Sequence, residues 1–295
     1  MRASASLALA VAACAAGTVS GRGEFDGEAA LAYVAEQVAF GPRIPNTEGH
    51  RRAGDWIEGQ LRARADSVEV QVFTHVTTSG DTLRLRNFIG RFRPEVRERI
   101  LLVAHWDTRP ISDQARAAAD RTRPVPGAND GGSGVAVLLG VADALKRRPP
   151  VVGVDLLFVD GEDYGDFGAG KDVLLGSRHY AQNAGAARPL FAVVFDMVGD
   201  QDPQFYQEGY SAQRAPEVVE RVWSKAAELG HARVFRATVG QAITDDHLPL
   251  LEAGFRAIDV IDLDYPHWHT PEDTLDKVSA RSLEIVGEVA IALVR

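Results

Sequence analysis

A single cysteine, Cys14, stands among the 295 residues, so no intrachain disulfide can form and the fold must rest on its core. Basic residues are the minority: 32 Lys and Arg against 41 Asp and Glu give a formal net charge of −9. Binding a phosphate backbone needs a basic face, which argues against nucleic acid as a partner. Past residue 20 nothing approaches the roughly 18 consecutive apolar residues that span a bilayer. There is no internal repeat, and only the N-terminus is of low complexity. What remains is 45% hydrophobic and 25% charged, the balance of an ordinary globular protein. The length suits one large α/β domain.

The N-terminus reads differently from the rest. Arg2 precedes an apolar stretch over 7–13 of signal-peptide length, and Cys14 follows directly. The pattern resembles a bacterial lipoprotein box, in which Cys14 becomes the lipidated first residue of the mature chain. The expectation is an exported protein: periplasmic, anchored to the outer membrane, or secreted. A lipid on Cys14 is then its only membrane contact. Residues 1–20 form the leader, 15–26 read as a flexible lead-in, and 27–295 as a single catalytic domain.

Apolar residues recur at helical spacing over 27–39, and Phe40-Gly41-Pro42-Arg43 stops that helix. Asn46 or Thr47 can cap a second helix running to about Arg64. Alternation over 68–73 and 83–92 suggests two neighbouring antiparallel strands. Continuous apolar runs over 100–104, 151–159, 190–197 and 257–261 suit strands buried on both faces. Helical patterns over 134–145, 176–182, 217–229 and 280–293 lie among them. This alternation predicts a three-layer α/β/α fold with a mixed, mostly parallel central sheet. A long loop over 107–128, rich in Pro, Asp and Arg, interrupts it, and long loops in compact domains tend to be functional.

Acids and imidazoles collect where these strands end: His105-Trp106-Asp107, Asn129-Asp130-Gly131-Gly132, Gly161-Glu162-Asp163, Phe195-Asp196-Met197, Thr244-Asp245-Asp246-His247 and Trp268-His269-Thr270. Open α/β sheets place their ligands at strand ends. A catalytic zinc takes about three protein donors, His nitrogen or carboxylate oxygen at about 2.0–2.2 Å, and keeps one position open. Adjacent residues at a strand end point apart, so one of Glu162 and Asp163 can bind metal while the other faces substrate as a base. Alone, Asp130 reads equally well as a helix cap. Asp245 and Asp196 read as turn or cap acids unless they approach Glu162, in which case like charges force proton sharing. His105 reads as a ligand or a substrate contact, and Arg178-His179 as structural.

With these residues in view, the chain from about Phe40 onward resembles the zinc-dependent glutaminyl cyclases, which share their fold with zinc aminopeptidases. Ala104-His105-Trp106-Asp107, residues 127–134, Asp196-Met197-Val198-Gly199 and His269-Thr270 match the wider family. Gly176-Ser177-Arg178-His179, Thr244-Asp245-Asp246-His247-Leu248-Pro249 and Trp268 before His269 match the cyclase branch. Glu162-Asp163-Tyr164-Gly165 is similar to the bacterial cyclases of animal type, where Glu-Asp replaces Glu-Glu. The resemblance implies one zinc held by Asp130, Asp163 and His269, with Glu162 as general acid/base. It implies an acid network of Asp245 and Asp196 with Glu162, and a glutamine pocket lined by Trp268 and Ile243. Peptide or protein N-termini are the implied substrates. Asp163 departs from the animal pattern by being one methylene shorter than Glu. The competing expectation is a two-zinc aminopeptidase, in which His105 and Asp196 hold a second metal bridged through Asp130. A third, a non-catalytic peptide-binding ectodomain, predicts lost metal ligands, and none is lost.

Overall fold

The computed structural model describes residues 23–185 and 188–295. The leader, Cys14 and most of the lead-in therefore lie outside the described residues. Its last part does not behave as a free tether: Phe25 is buried, its ring filling the space left by Gly140 and Gly287, and Asp26 caps the first helix. The expected flexible lead-in is corrected there, because an aromatic ring gains more from that apolar slot than the chain loses in freedom.

In chain order the elements are α1 (Gly27–Ala39), α2 (Glu48–Arg62), β1 (Ser67–Val76), β2 (Thr82–Phe92), β3 (Arg99–His105), α3 (Ser133–Arg147), β4 (Gly153–Val159), α4 (Leu175–Asn183) and β5 (Phe191–Asp196). There follow β6 (Phe205–Gln207), α5 (Gly209–Arg214), α6 (Pro216–Glu228), β7 (Phe235–Val239), α7 (His247–Glu252), β8 (Ala257–Ile261) and α8 (Ala280–Leu293). Thr47 caps α2 by accepting from the His50 N–H, and Pro216 opens α6, where its missing donor costs nothing. The apolar run at 151 starts its strand two residues late: Val151 is 65% exposed, and pairing begins at Gly153.

Six strands form one sheet in the order β1-β2-β4-β3-β5-β8. β1, β2 and β4 pair antiparallel, while β4, β3, β5 and β8 run parallel. The parallel strands are almost wholly buried, as their unbroken apolar sequences require. α1, α3 and α8 pack together as one layer, while α4 and α7 pack against each other and on the sheet. Gly134 lets α3 approach β5 closely, since a Cβ there would meet the Phe195 carbonyl at 2.2 Å. β6 and β7 form a separate two-stranded piece. From β3 the chain crosses to β4 on one side and later to β5 on the other. That reversal opens a crevice beyond the carboxyl end of β3.

Candidate active site

The crevice is a cavity of about 510 Å³ lined by Asp130, Glu162, Asp163, Asp196, Ile243, Asp245, Trp268 and His269 among others. Every residue that sequence reasoning singled out for ligation, proton transfer or glutamine binding, His105 apart, lies on its wall; His105 sits just beneath, at the end of β3. Asp130 is not a helix cap: Gly132 holds that position on α3, with no side-chain cap. Gly131 bends the chain at φ +77°, and a Cβ there would strike the Asp107 carbonyl at 2.3 Å. Two non-glycine residues, Met197 (φ +47°) and His269 (φ +53°), sit in the left-handed region beside the cavity, the kind of backbone cost that clusters at working sites.

Two buried carboxylates hold this geometry from behind. Asp107 accepts from the Glu162 N–H (3.0 Å) and the Asp163 N–H (3.2 Å). Asp273 accepts from the Asn129 N–H (2.8 Å), the Asp130 N–H (3.1 Å) and the Tyr265 hydroxyl (2.7 Å). Each thereby fixes the backbone that carries side chains lining the cavity: Glu162 and Asp163 in one case, Asp130 in the other. Burial and the neighbouring Asp130 push the Asp273 carboxyl up to about 7, against the pull of those N–H groups. Beneath them the wholly buried Arg43 donates to the carbonyls of Trp106 (2.9 Å) and Gly127 (2.6 Å). Sequence reasoning gave Asp273 and Arg43 no part in the site, and no local pattern marks either.

Asp130, Asp163 and His269 each bring a donor atom within 4.8 Å of the others, all three buried. His269 Nε2 lies 3.3 Å from Asp163 Oδ1 and 3.6 Å from Asp130 Oδ2. Asp130 Oδ2 and Asp163 Oδ2 have no hydrogen-bond partner despite burial. Buried carboxylate oxygens without a donor are costly unless a cation completes them, so this set fits zinc. Burial opposes a charge on His269, yet Asp163 and Asp113 raise its imidazole to about 10.

On the facing side, burial pushes the Glu162 carboxyl well above the carboxylate range; Asp163, Asp245 and Asp246 push the same way, and His105 opposes them. Asp245 is likewise raised well above its ordinary value, by burial and then by Asp259, Asp196 and Asp246. His105 Nε2 sits 3.0 Å from Asp196 Oδ1 and 3.2 Å from Asp130 Oδ1, and its Nδ1 3.7 Å from Glu162 Oε2. Those acids keep the imidazole charged against its burial. His105, Asp130 and Asp196 also meet the spacing of a second metal set sharing Asp130. Behind Asp245, the buried His247 lies 3.1 Å from Glu208 Oε2 and 3.4 Å from Asp259 Oδ2. Asp245 lies in the loop just before α7, and the Leu248 N–H bonds its carbonyl at 2.9 Å. At the mouth, Trp268 is 42% exposed, a broad apolar surface beside the donors.

The family model of peptidase family M28 matches residues 87–294. The structure superposes on the glutaminyl cyclase of Bacteroides thetaiotaomicron bound to N-acetylhistamine with a TM-score of 0.88 and 37% identity, covering 92% of this chain and 97% of that one. It is as similar to a leucine aminopeptidase precursor from the same species, with a TM-score of 0.89, 38% identity and the same 92% and 97% coverage. Among curated proteins, the glutaminyl-peptide cyclotransferase of Drosophila melanogaster is 26% identical over 258 residues, 79% of this chain and 70% of the relative. Two mammalian cyclotransferase-like proteins are spanned over 66% of their length.

Proposed function

The chain belongs to peptidase family M28, and from that premise we propose that it is a glutaminyl-peptide cyclotransferase, converting the N-terminal glutamine of peptides or proteins to pyroglutamate. The observation that carries this reading is the single cavity in which a zinc-type donor set, the buried Glu162, two further carboxylates and the half-exposed Trp268 face one another. The cyclase relatives support it.

Asp130, Asp163 and His269 would hold the zinc, which when bound would supply Lewis acidity at the γ-amide carbonyl of the substrate. The α-amine nitrogen attacks the γ-carbon, a new C–N bond closes the ring, and the bond to the amide nitrogen breaks to release ammonia. Glu162 takes a proton from the attacking amine and returns it to the departing nitrogen, work suited to a carboxyl raised by burial. Asp245 and Asp196 share that acid-lined wall and orient the amine. Ile243 and Trp268 enclose the side chain of the glutamine and keep water from it.

A two-metal aminopeptidase is the second reading, favoured by one observation: His105 and Asp196 come together with Asp130 at ligand spacing. The test pairs ammonia release from a Gln-initiated dipeptide amide with Leu-p-nitroanilide hydrolysis and zinc stoichiometry on one sample. Ammonia with a single zinc and no nitroaniline supports the cyclase; nitroaniline with two metals overturns it. Export with a lipid on Cys14 is part of the same proposal and rests on Arg2 and the apolar 7–13 stretch. Mass spectrometry of the mature N-terminus checks it, and an intact Met1 or an unmodified Cys14 refutes it.

A further inference from the structure

The stretch over 107–128, between β3 and the turn that carries Asp130, contributes no zinc donor, yet it touches two of the three. Arg109 Nη1 donates to Asp163 Oδ1 at 2.8 Å and to the Asp163 carbonyl at 3.3 Å. The same guanidinium holds Asp113 with two bonds, Nε to Oδ1 at 2.8 Å and Nη2 to Oδ2 at 3.1 Å. Asp113 Oδ1 in turn lies 3.2 Å from His269 Nδ1, in ion-pair contact though not in line for a full hydrogen bond. The Gln114 N–H bonds the His269 carbonyl at 3.2 Å. Arg109 is 5% exposed and its guanidinium lies over the Phe167 ring at 5.9 Å, so the fork is itself held in place.

We propose that Arg109 and Asp113 are positioning residues that form one clamp setting how tightly Asp163 and His269 hold zinc. Arg109 occupies Asp163 Oδ1 and leaves Oδ2 without a partner. Asp113, 3.2 Å from Nδ1, braces the imidazole so that Nε2 faces Asp130 and Asp163. The planar guanidinium fork ties both effects together, since one group fixes both carboxylates. A carboxylate as short as Asp163 has little reach, so its orientation must be imposed from outside, and Arg109 imposes it.

The inference rests on the zinc site of the proposed function but not on its reaction, so its test reads metal rather than turnover. Zinc affinity is measured by chelator competition on the full chain for wild type, Asp113→Asn, Arg109→Lys and Asp120→Asn, together with the melting temperature of each metal-free protein. Asp120 lies on the same loop and its side chain meets Arg123, away from the donors. The expected result is about 10- to 100-fold weaker zinc binding in Asp113→Asn and Arg109→Lys, the usual cost of lost outer support. Metal-free melting of Asp113→Asn and the affinity of Asp120→Asn stay at wild-type values. Wild-type affinity in both clamp variants, or an equal loss in Asp120→Asn, overturns the clamp. A wild-type chain that takes up no zinc overturns the donor set and the clamp with it.

Discussion

The two walls of the cavity are built from the same kinds of residue and end up with opposite chemistry. One wall, Asp130, Asp163 and His269, has Arg109 in contact with it and carboxylate oxygens that lack donors. The other, Glu162, Asp196 and Asp245, has His105 at its base and acids whose charges act on one another. The first wall thus offers buried, unpaired carboxylate oxygens that fit a cation. On the second, burial and neighbouring acids raise Glu162 and Asp245 well above the carboxylate range, which suits these two to carrying protons. In the proposed function the same kind of side chain serves as ligand or proton carrier according to its neighbours.

The most severe way to break the comparison is to take a donor from the first wall. His269→Ala is expected to lose zinc and bring ammonia release to background, checked by metal analysis beside the assay. On the second wall, Glu162→Gln should keep zinc while cyclisation falls at least roughly a hundredfold, the scale of acid–base catalysis. Full activity in that variant would remove Glu162 from the reaction. Trp268→Ala tests the mouth shared by both walls: KM should rise about tenfold with kcat little changed, as for binding lost equally in ground and transition states.

The smallest expected effect concerns what stands behind the second wall. Glu208 accepts from the Ile243 N–H (3.0 Å) and the Tyr210 N–H (2.9 Å) and meets His247, so it steadies the segment carrying Ile243 and Asp245. Burial opposes its charge, but His247 and Ser211 outweigh burial and hold the carboxyl down to about 2. Because the folded value is depressed, its stabilisation is complete above the ordinary 4.5 and is lost as pH falls toward 2. Glu208→Gln should therefore cost about 1.5–3 kcal/mol at pH 7. Denaturation at several pH values should show the difference from wild type closing toward pH 2.

Long-range architecture was largely legible because it is written in local pattern. The helices over 27–39 and 280–293 and the strand over 257–261 have the predicted ends, since apolar periodicity and capping residues lie within each segment. Several of the candidate residues were legible for a related reason: His105, Glu162, Asp163 and Asp196 end or follow apolar strands, and Asp130 sits in a glycine turn. What stayed hidden depends on partners far away in sequence. Asp273 meets the Asn129 N–H across 144 positions, and nothing near Asp273 announces it. Arg109 and Asp113 sat in a loop whose composition marked it as functional without saying what it holds. β6 escaped notice because three residues leave too little pattern to read, and β7 because its sequence FRATV is mostly exposed and has no apolar run.

The three zinc donors stand on separate stretches of chain, before α3, after β4 and after β8, so an unfolded chain has no site to offer. Metal that binds only the folded form shifts the unfolding equilibrium by mass action, by about 4 kcal/mol when free zinc is a thousandfold above its dissociation constant. During synthesis His269 is the last of the three donors to emerge, after most of the sheet has been made. A site built from all three donors can form only once the stretch carrying His269 has folded against the other two.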